Sequence, residues 1–342
     1  MKEFIRWLFV LPLLWASRAW CWIQRKTYPH LPESRKQDFS LPQLELLPYI
    51  SDPSLWNSDQ YKTAFHFLET RGVHLTPNHF YSPIPDTTQI RDLHETELVG
   101  VDLNEAAQYD LLCRAFPAFA QEYNVFPWEK EPGLPPYAFH FNNGIFDGLD
   151  ALVLYCMIRH FKPHRIVEVG SGWSTRLSAH AAILNGNTEL ISIEPYPDPV
   201  LRGEFPGLST LIEKKVEEVE ISFFQELHAG DVLFIDTSHV VKTGGDVIYL
   251  FLEVLPRLQT GVIVQIHDIF LPHDYPAWWI KDQLLFWNEQ YLLQAFLTFN
   301  DKFQVSFANR FMQHKYPDKL KEIFPRCPFL NTGQSFWMQR VA

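Results

Sequence analysis

The chain has 342 residues, 46% of them hydrophobic and 15% aromatic, so it can bury the core of one large domain or of one domain with a substantial cap. Its 40 acidic residues outnumber its 29 basic ones, and the formal net charge is -11. Because no long Lys/Arg run is available to neutralise phosphates, nucleic acid is not expected as a partner, and a small molecule or glycan fits better. The four cysteines form no C-x-x-C pair, which argues against a disulfide framework or zinc knot and favours a cytoplasmic protein.

Residues 1–25 form an aromatic, apolar N-terminal segment. Its apolar run, residues 7–16, is too short to span a bilayer and contains Pro12. Three alternatives stay open: a helix that packs on the protein or on a partner, a membrane-surface anchor, and a signal sequence. The expected cytoplasmic location therefore carries the alternative of peripheral membrane contact through this segment.

Residues 26–136 are rich in proline and aromatic residues, and we expect them to form a cap region that shapes a substrate pocket. Short helices are predicted over residues 58–71 and 104–116. The segments 81–86 and 132–136 are predicted to be rigid loops, because proline lacks a backbone donor and restricts the residue before it.

Residues 137–342 show a regular alternation of apolar strands and amphipathic helices. Strands are predicted at residues 165–169, 189–194, 208–212, 231–236, 261–266, 303–308 and 335–339. Helices are predicted at residues 147–161, 177–184 and 246–255, and as one long helix over 278–296. Apolar strands that alternate with helices indicate an α/β domain with a Rossmann-like, doubly wound, mostly parallel seven-stranded sheet.

The clearest motif, E-V-G-S-G-W-S-T, begins at Glu168, where the first strand runs into a glycine-rich turn. Gly170 and Gly172 can adopt positive φ and let the backbone approach a ligand, while the Ser and Thr that follow can cap a helix. A dinucleotide fingerprint would have a third glycine where Thr175 stands, and a carboxylate at Glu168 suits a cationic ligand. The E-x-G-x-G-x-S pattern resembles the first motif of class I S-adenosylmethionine-dependent methyltransferases.

This resemblance implies S-adenosylmethionine as the cofactor and a late antiparallel strand at the edge of the sheet. Glu194 ends the second strand, where an acidic side chain can accept both ribose hydroxyls of a nucleoside; the alternative is a solvated strand end. The residues that the resemblance assigns to the cofactor are Glu168, Gly170, Ser171, Gly172, Ser174, Thr175, Glu194 and Asp236.

Polar motifs also follow the fourth and fifth strands, F-I-D-T-S-H at residues 234–239 and H-D-I-F-L-P at residues 267–272. The carboxyl ends of parallel strands meet at one edge of a sheet, so these side chains should converge. The pattern resembles metal-dependent O-methyltransferases of sugars and catechols. That resemblance implies Asp236, His267 and Asp268 as ligands of Mg or Mn and His239 as the general base, so all four are candidate catalytic residues.

His267 departs from this pattern, which more usually has an acid or amide at that position. A nitrogen ligand is a poorer partner for magnesium than for manganese, iron or zinc. The alternative is a metal-free acid/base pair of His267 and Asp268, and His239 could equally be a histidine satisfied at a strand end.

The predicted function is S-adenosylmethionine-dependent O-methylation of a small-molecule or sugar hydroxyl. The alternatives are a noncatalytic Rossmann-like binding module and an NAD(P)-dependent dehydrogenase, the latter disfavoured by Glu168 and Thr175. Oligomeric state does not follow from the sequence. The candidate acceptor-pocket residues, which ordinary loop chemistry also explains, are Tyr137, His140, Asn142, Asn143 and Asp147.

Overall fold

The computed structural model describes residues 58–342 apart from residues 75, 77, 91–94, 328, 329, 331 and 332. The chain divides into two compact units between Ile90 and Arg91. The first 25 residues, and residues 26–57 of the predicted cap region, lie outside the described part. In the first unit, helix α1 (Asp59–Glu69) starts after Ser58, whose hydroxyl accepts a hydrogen bond from the backbone N–H of Tyr61. This confirms the helix predicted over residues 58–71.

The second unit contains a seven-stranded sheet with strand order β3-β2-β1-β4-β5-β7-β6. The strands are β1 (Arg165–Val169), β2 (Glu189–Ile193), β3 (Thr210–Ile212), β4 (Val232–Ile235), β5 (Ile263–Ile266), β6 (Phe303–Ala308) and β7 (Phe336–Arg340). β7 alone runs opposite to the other six strands of this sheet, and it lies between β5 and the edge strand β6. The predicted Rossmann-like, mostly parallel sheet is confirmed, with its antiparallel strand one place in from the edge.

Helices flank this sheet on both faces. They are α2 (Glu105–Asp110), α3 (Ala120–Tyr123), α4 (Gly148–Phe161), α5 (Trp173–Asn185), α6 (Ile221–Gln225), α7 (Asp246–Ile248), α8 (Ala277–Lys281), α9 (Glu289–Leu297), α10 (Asn309–Lys315) and α11 (Pro317–Ile323). Both α2 and α7 continue as a π-helical turn, at Leu111–Ala115 and Tyr249–Val254 respectively. Within the described residues, no helix combines the length and the apolar character needed to cross a membrane.

Two hydrophobic cores lie on opposite faces of the sheet. In β1 the side chain of Ile166 belongs to one core, and those of Val167 and Val169 belong to the other. Successive strand residues point to opposite faces, so a sheet covered on both sides requires apolar residues at nearly every position. This explains the uninterrupted apolar strands of the sequence and makes the polar Glu168 within β1 an exception.

Residues 91–136, assigned by sequence to the cap region, belong to the same compact unit as the sheet. In this segment, Glu122 accepts hydrogen bonds from Arg159 Nε at 2.6 Å and from the hydroxyl of Tyr155 at 2.9 Å. The hydroxyl of Tyr123 donates to the carbonyl of Ile323 at 3.0 Å. These contacts tie α3 to α4 and to α11.

The single helix predicted over residues 278–296 is wrong, because the chain forms α8 and α9 with a non-helical stretch at residues 282–288 between them. The backbone N–H of Asn288 donates to the carbonyl of His239 at 3.0 Å. Its side-chain oxygen accepts from the N–H of Val241 at 2.6 Å. Tertiary bonds to the segment after β4 thus compete successfully with the local helical preference.

Candidate active site

The glycine turn after β1 lies against the chain that leaves β4. Gly170 has φ +84°, and a Cβ atom at this position would lie 1.8 Å from the carbonyl oxygen of Asp236. Only glycine fits there. Gly172 differs, because its φ of 175° is extended and an added Cβ would meet no atom within 4 Å. The left-handed conformation predicted for both glycines therefore occurs at Gly170, whereas Gly172 is extended and borders open space.

Helix α5 begins at Trp173, four residues earlier than predicted, and the two hydroxyl residues of the motif have different tasks. Thr175 Oγ1 accepts a hydrogen bond from the N–H of Gly172 at 2.8 Å, so Thr175 caps the helix. Ser174 Oγ donates to Glu168 Oε1 at 2.5 Å. The hydrogen bond between Ser174 and Glu168 joins the end of β1 to the first turn of α5.

Glu168 is fully buried, and its Oε2 has no hydrogen-bond partner among the described residues. Burial raises the pKa of Glu168 to about 8, against the smaller lowering effect of the bond from Ser174. A carboxyl group in this setting holds a proton at neutral pH, and a cationic group placed nearby would favour its charged form.

A cavity of about 410 Å³ lies at the carboxyl ends of β1, β2 and β4. Of the residues assigned to the cofactor, Gly170, Glu194 and Asp236 line it; the other five, from Glu168 to Thr175, do not. Several further residues that line the cavity were not assigned to the cofactor from the sequence, among them Tyr196, Val216, Glu217, Thr237, Ser238, Lys242 and Asp246. The volume lies within the range of small-molecule sites.

Glu194 is held in the wall of this cavity by two backbone donors. Its Oε2 accepts from the N–H of Ser171 at 3.3 Å, and its Oε1 accepts from the N–H of Tyr196 at 2.8 Å. A carboxylate oxygen has more than one acceptor site, so both oxygens can still accept from a ligand hydroxyl. The structure thus gives Glu194 a fixed orientation beside the glycine turn.

Asp236, His239, His267 and Asp268 converge at the edge where β4 and β5 end. Asp236, His267 and Asp268 each offer one potential ligand atom, and these atoms lie within 4.8 Å of one another. His267 Nδ1 is 3.6 Å from Asp236 Oδ2 and 3.5 Å from Asp268 Oδ1. His239 Nε2 is 3.2 Å from a carboxylate oxygen of each aspartate. The four residues predicted from the two strand ends therefore form one cluster, called here the β4/β5 cluster.

Two members of this cluster have left-handed backbone conformations, with φ 57° at His239 and φ 56° at Asp268. Such a conformation costs a non-glycine residue on the order of 1–3 kcal/mol and persists only where the surroundings impose it. At His239 the carbonyl accepts from the N–H groups of Asn288 and Glu289, at 3.0 and 3.2 Å. The backbone is therefore locally strained at these two positions, whose side chains belong to the cluster.

Two buried acids that the sequence analysis did not identify contact the histidines from behind. Glu289 Oε2, on α9, is 2.9 Å from His239 Nδ1. Asp150 Oδ2, on α4, is 3.6 Å from His267 Nε2. Asp150 also accepts from the N–H of Ser335 at 2.8 Å, which fixes it against the start of β7. Only Asp150 gave a partial signal in the sequence, as an acid in the apolar first half of α4. Such an acid needs a buried partner, but the sequence does not tell which one.

The carboxylates and imidazoles of the cluster strongly shift one another's pKa values. Burial alone would raise the pKa of Asp236, but the charge of His267 and the hydrogen bond with His239 hold it well below its usual range. Burial alone would lower the pKa of His239, but hydrogen bonds with Asp236 and Glu289 raise it to about 10. The carboxylates of Asp268 and Asp236 likewise raise the pKa of His267 despite its burial. A divalent cation would compete with these two imidazolium groups for the same oxygens.

The predicted acceptor-pocket residues build the loop before α4. The amide of Asn143 donates to the carbonyls of His140 and Phe146, and its oxygen accepts from the N–H of Phe146. The amide of Asn142 donates to Glu129, and Asp147 accepts from the N–H of Gly144. The ring of Phe146 lies 4.9 Å from that of His267. The loop thus places an aromatic ring against the β4/β5 cluster.

Elsewhere around that loop and cluster, other aromatic rings pack closely. The His140 ring is 4.6 Å from that of Trp173, and the half-exposed Tyr137 ring is 6.1 Å from that of Phe205. The indole of Trp287 lies 4.3 Å from the ring of His239. His239 therefore has an apolar neighbour on its ring face and carboxylates at both of its nitrogens.

The strand order, the glycine turn and the cluster at the strand ends define the protein class. Residues 167–269 match the family described as "Methyltransferase domain". An uncharacterized protein of Archaeoglobus fulgidus is 34% identical over 164 residues, which are 44% of this chain and 72% of the relative. The chain belongs to the class I S-adenosylmethionine-dependent methyltransferases, so it is a transferase, and the alternatives of a dehydrogenase and a noncatalytic module are set aside.

Solved structures with similar chains include several methyltransferases. The O-methyltransferase TomG of Streptomyces achromogenes, in complex with SAM, is 13% identical with a TM-score of 0.36, covering 73% of this chain and 92% of that one. A putative O-methyltransferase of Klebsiella pneumoniae is 14% identical with a TM-score of 0.32, covering 56% and 80%. The plantazolicin methyltransferase BpumL, in complex with SAH, is 10% identical with a TM-score of 0.33, covering 70% and 99%.

Proposed function

We propose that this methyltransferase modifies the hydroxyl oxygen of a small molecule or sugar. One observation carries the proposal: Asp236 belongs both to the wall of the 410 Å³ cavity and to the β4/β5 cluster. A methyl donor bound beside Gly170 and Glu194 would therefore lie next to the groups that can bind and deprotonate a hydroxyl. Methyl transfer requires such proximity, because the nucleophilic oxygen must approach the methyl carbon directly.

Each residue of the site has a task in this proposal. S-adenosylmethionine, when bound, supplies an electrophilic methyl group on a sulfonium. Glu194 accepts hydrogen bonds from the ribose hydroxyls of the cofactor. The open space beside Gly172 leaves room for the part of the cofactor that lies against the glycine turn. His239 acts as general base in its neutral form. A cation held by Asp236 and Asp268 would favour that form, because it would offset the carboxylate charges that raise the pKa of His239. Glu289 holds the His239 ring through Nδ1 so that Nε2 faces the aspartates.

The donor atoms of Asp236, His267 and Asp268 fit a divalent cation that accepts both oxygen and nitrogen ligands. His267 Nδ1 is buried without a hydrogen-bond partner among the described residues, and it faces one oxygen of each aspartate. A set of one nitrogen and two carboxylates suits manganese better than magnesium. A bound cation would favour the alkoxide form of the acceptor. A metal-free acid/base cluster of the same residues is the second candidate.

Methylation of a metabolite and glycan extract tests the function. Labelled S-adenosylmethionine is supplied with and without chelator, and products are identified by mass spectrometry. We expect a methyl ether whose formation chelator abolishes and manganese or magnesium restores. Full activity in chelator would show that no metal is needed and would support the metal-free acid/base cluster. A product methylated only on nitrogen or carbon would refute the O-methylation proposal.

We also propose the domain plan of an N-terminal segment (1–25), a cap region (26–136) and a methyltransferase domain (137–342). Residues 91–136 of this cap belong to the same compact unit as the sheet. We propose that the protein acts in the cytoplasm, where its cofactor is available. Peripheral membrane contact would come from the apolar segment. Deletion of residues 1–23 tests this contact by fractionation of intact and truncated protein. Movement from the membrane to the soluble fraction, with unchanged cofactor affinity, supports an anchor, and a soluble intact protein eliminates it.

A further inference from the structure

A second group of metal-type side chains lies outside the active site. Glu95, His273 and His314 each offer one donor atom, and the three atoms lie within 4.8 Å of one another. The residues come from three distant parts of the sequence: the segment before α2, the loop after β5, and α10. Two imidazoles and a carboxylate are a common protein ligand set for zinc. We call this group the His/His/Glu cluster.

The backbone fixes two of these ligands independently of any side-chain contact within the cluster. Next to Glu95, the N–H of Thr96 donates to the carbonyl of Pro272 at 2.8 Å, which holds that segment beside the loop after β5. The N–H of His273 donates to the carbonyl of Phe270 at 2.8 Å. The fold therefore brings donors together without relying on their mutual attraction.

The third ligand is anchored through its helix. Asn309, the first residue of α10, donates from its amide to Asp150 Oδ1 at 2.6 Å, and this places the helix that carries His314. The rings of His273 and His314 lie 4.8 Å apart at 64°, so they are close without stacking. His314 thus faces His273 from a separately held element.

One ring nitrogen of His273 lacks a hydrogen-bond partner among the described residues. This nitrogen, Nδ1, is buried. Leaving a buried ring nitrogen unsatisfied costs free energy, and a bound cation would remove that cost. The Arg310 side chain, which interacts electrostatically with His273, opposes a cation, while the carboxylate of Glu95 favours one.

We propose that the His/His/Glu cluster binds Zn²⁺ through its three side chains, with water completing the coordination. Zinc–ligand bonds of about 2.0–2.1 Å place tetrahedral donor atoms ~3.3 Å apart. Small side-chain movements would bring the three donor atoms of the cluster, now within 4.8 Å of one another, to this spacing. The ion would clip the loop after β5, which begins with His267 and Asp268, to α10. The proposal does not depend on O-methylation or on a metal in the β4/β5 cluster.

Zinc binding by the full chain tests the proposal. Equilibrium dialysis with elemental analysis is carried out on an Asp268→Asn background, which weakens the β4/β5 cluster as a competing site. We expect about one zinc per chain, and His314→Gln on this background should lower zinc affinity at least tenfold. The matched control is His228→Gln, which removes a surface imidazole that contacts Gln259 and should leave zinc affinity unchanged.

A second measurement covers the case in which Asp268→Asn does not fold. In the otherwise native chain, His314→Gln and Glu95→Gln should each remove one zinc equivalent and abolish the rise in melting temperature caused by zinc at that site. Both variants should keep the methyl-transfer rate measured without added zinc. The same zinc affinity with and without His314→Gln, or no zinc bound in excess of the β4/β5 cluster, would overturn the proposal.

Discussion

The cofactor half and the catalytic half of the active site are built in different ways. The glycine turn, its capping residues and the acid at the end of β2 lie within one stretch, residues 168–196, and are joined by hydrogen bonds within that stretch. The β4/β5 cluster instead draws on α4, β4, β5 and α9. The first half depends on local backbone geometry, whereas the second depends on the packing of the whole domain.

This difference predicts different consequences of mutation. Substitutions in the turn should change folding or cofactor affinity, because those residues shape the backbone or the cavity wall. Substitutions in the β4/β5 cluster should change the rate of methyl transfer while cofactor affinity stays nearly constant. Variants that mixed the two effects would show that the halves are not separate.

The largest effect is expected at His239. His239→Ala removes the proposed general base, whose contribution is on the order of 10²- to 10⁴-fold in rate. Initial rates should fall by that factor, and calorimetry should show unchanged S-adenosylmethionine affinity. Higher pH should partly restore the rate, because the acceptor then loses its proton without help. A wild-type rate with a confirmed acceptor would place the chemistry elsewhere.

The two glycines of the turn give a matched pair of valine variants. Gly170→Val should destabilise the fold by more than about 3 kcal/mol, since it combines backbone strain with a clash against the Asp236 carbonyl. Gly172→Val should leave the free energy of unfolding nearly unchanged, because its side chain meets no atom of the protein, and should abolish cofactor binding by filling the open space beside the glycine turn. Denaturant unfolding and calorimetry on both proteins check this. Equal stability of the two variants would contradict the geometry of the turn.

Much of this architecture was predictable from sequence because it depends on local periodicity. The apolar strands, the turn at Gly170 and the polar residues that directly follow β4 and β5 are all visible as short patterns. Asp150 and Glu289 were not predictable, since they reach the cluster only through helix packing. The break before Glu289 was missed for the same reason: the bonds of Asn288 to His239 and Val241 are tertiary.

Glu289 tests the long-range half more finely. Glu289→Gln keeps the volume and one acceptor oxygen but removes the charge facing His239 Nδ1, and outer residues of this kind typically affect activity 10- to 100-fold. We expect kcat to fall in that range with KM and cofactor affinity unchanged. Glu253→Gln, at an exposed acid paired with Arg257, is the control. A change in KM alone would mean that Glu289 acts on acceptor binding and does not orient the base.

Glu194 tests the local half in the same way. Glu194→Gln retains one acceptor oxygen but loses the charge, so S-adenosylmethionine binding should weaken by about 1 kcal/mol, the net contribution of one hydrogen bond. The rate at saturating cofactor should stay at the wild-type value. Isothermal titration and saturation kinetics give the two quantities. A lower rate at saturating cofactor with unchanged affinity would mean that Glu194 acts in methyl transfer and not in cofactor binding.

The last expected effect is confined to one pH window and concerns the dependence of stability on pH at Glu168. Folding raises the pKa of this acid from 4.5 to about 8, so its contribution to stability is fully present below pH 4.5 and is lost as the pH rises through 8. The loss amounts to about 1 kcal/mol per pH unit within that window. Glu168→Gln mimics the protonated form, and the difference between its unfolding free energy and that of the wild type should grow from pH 5 to 8. Glu218→Gln, at an exposed acid, should give a flat difference. A flat difference for Glu168→Gln as well would mean that the carboxyl keeps its ordinary pKa in the fold, and that the turn tolerates a buried charge beside Ser174.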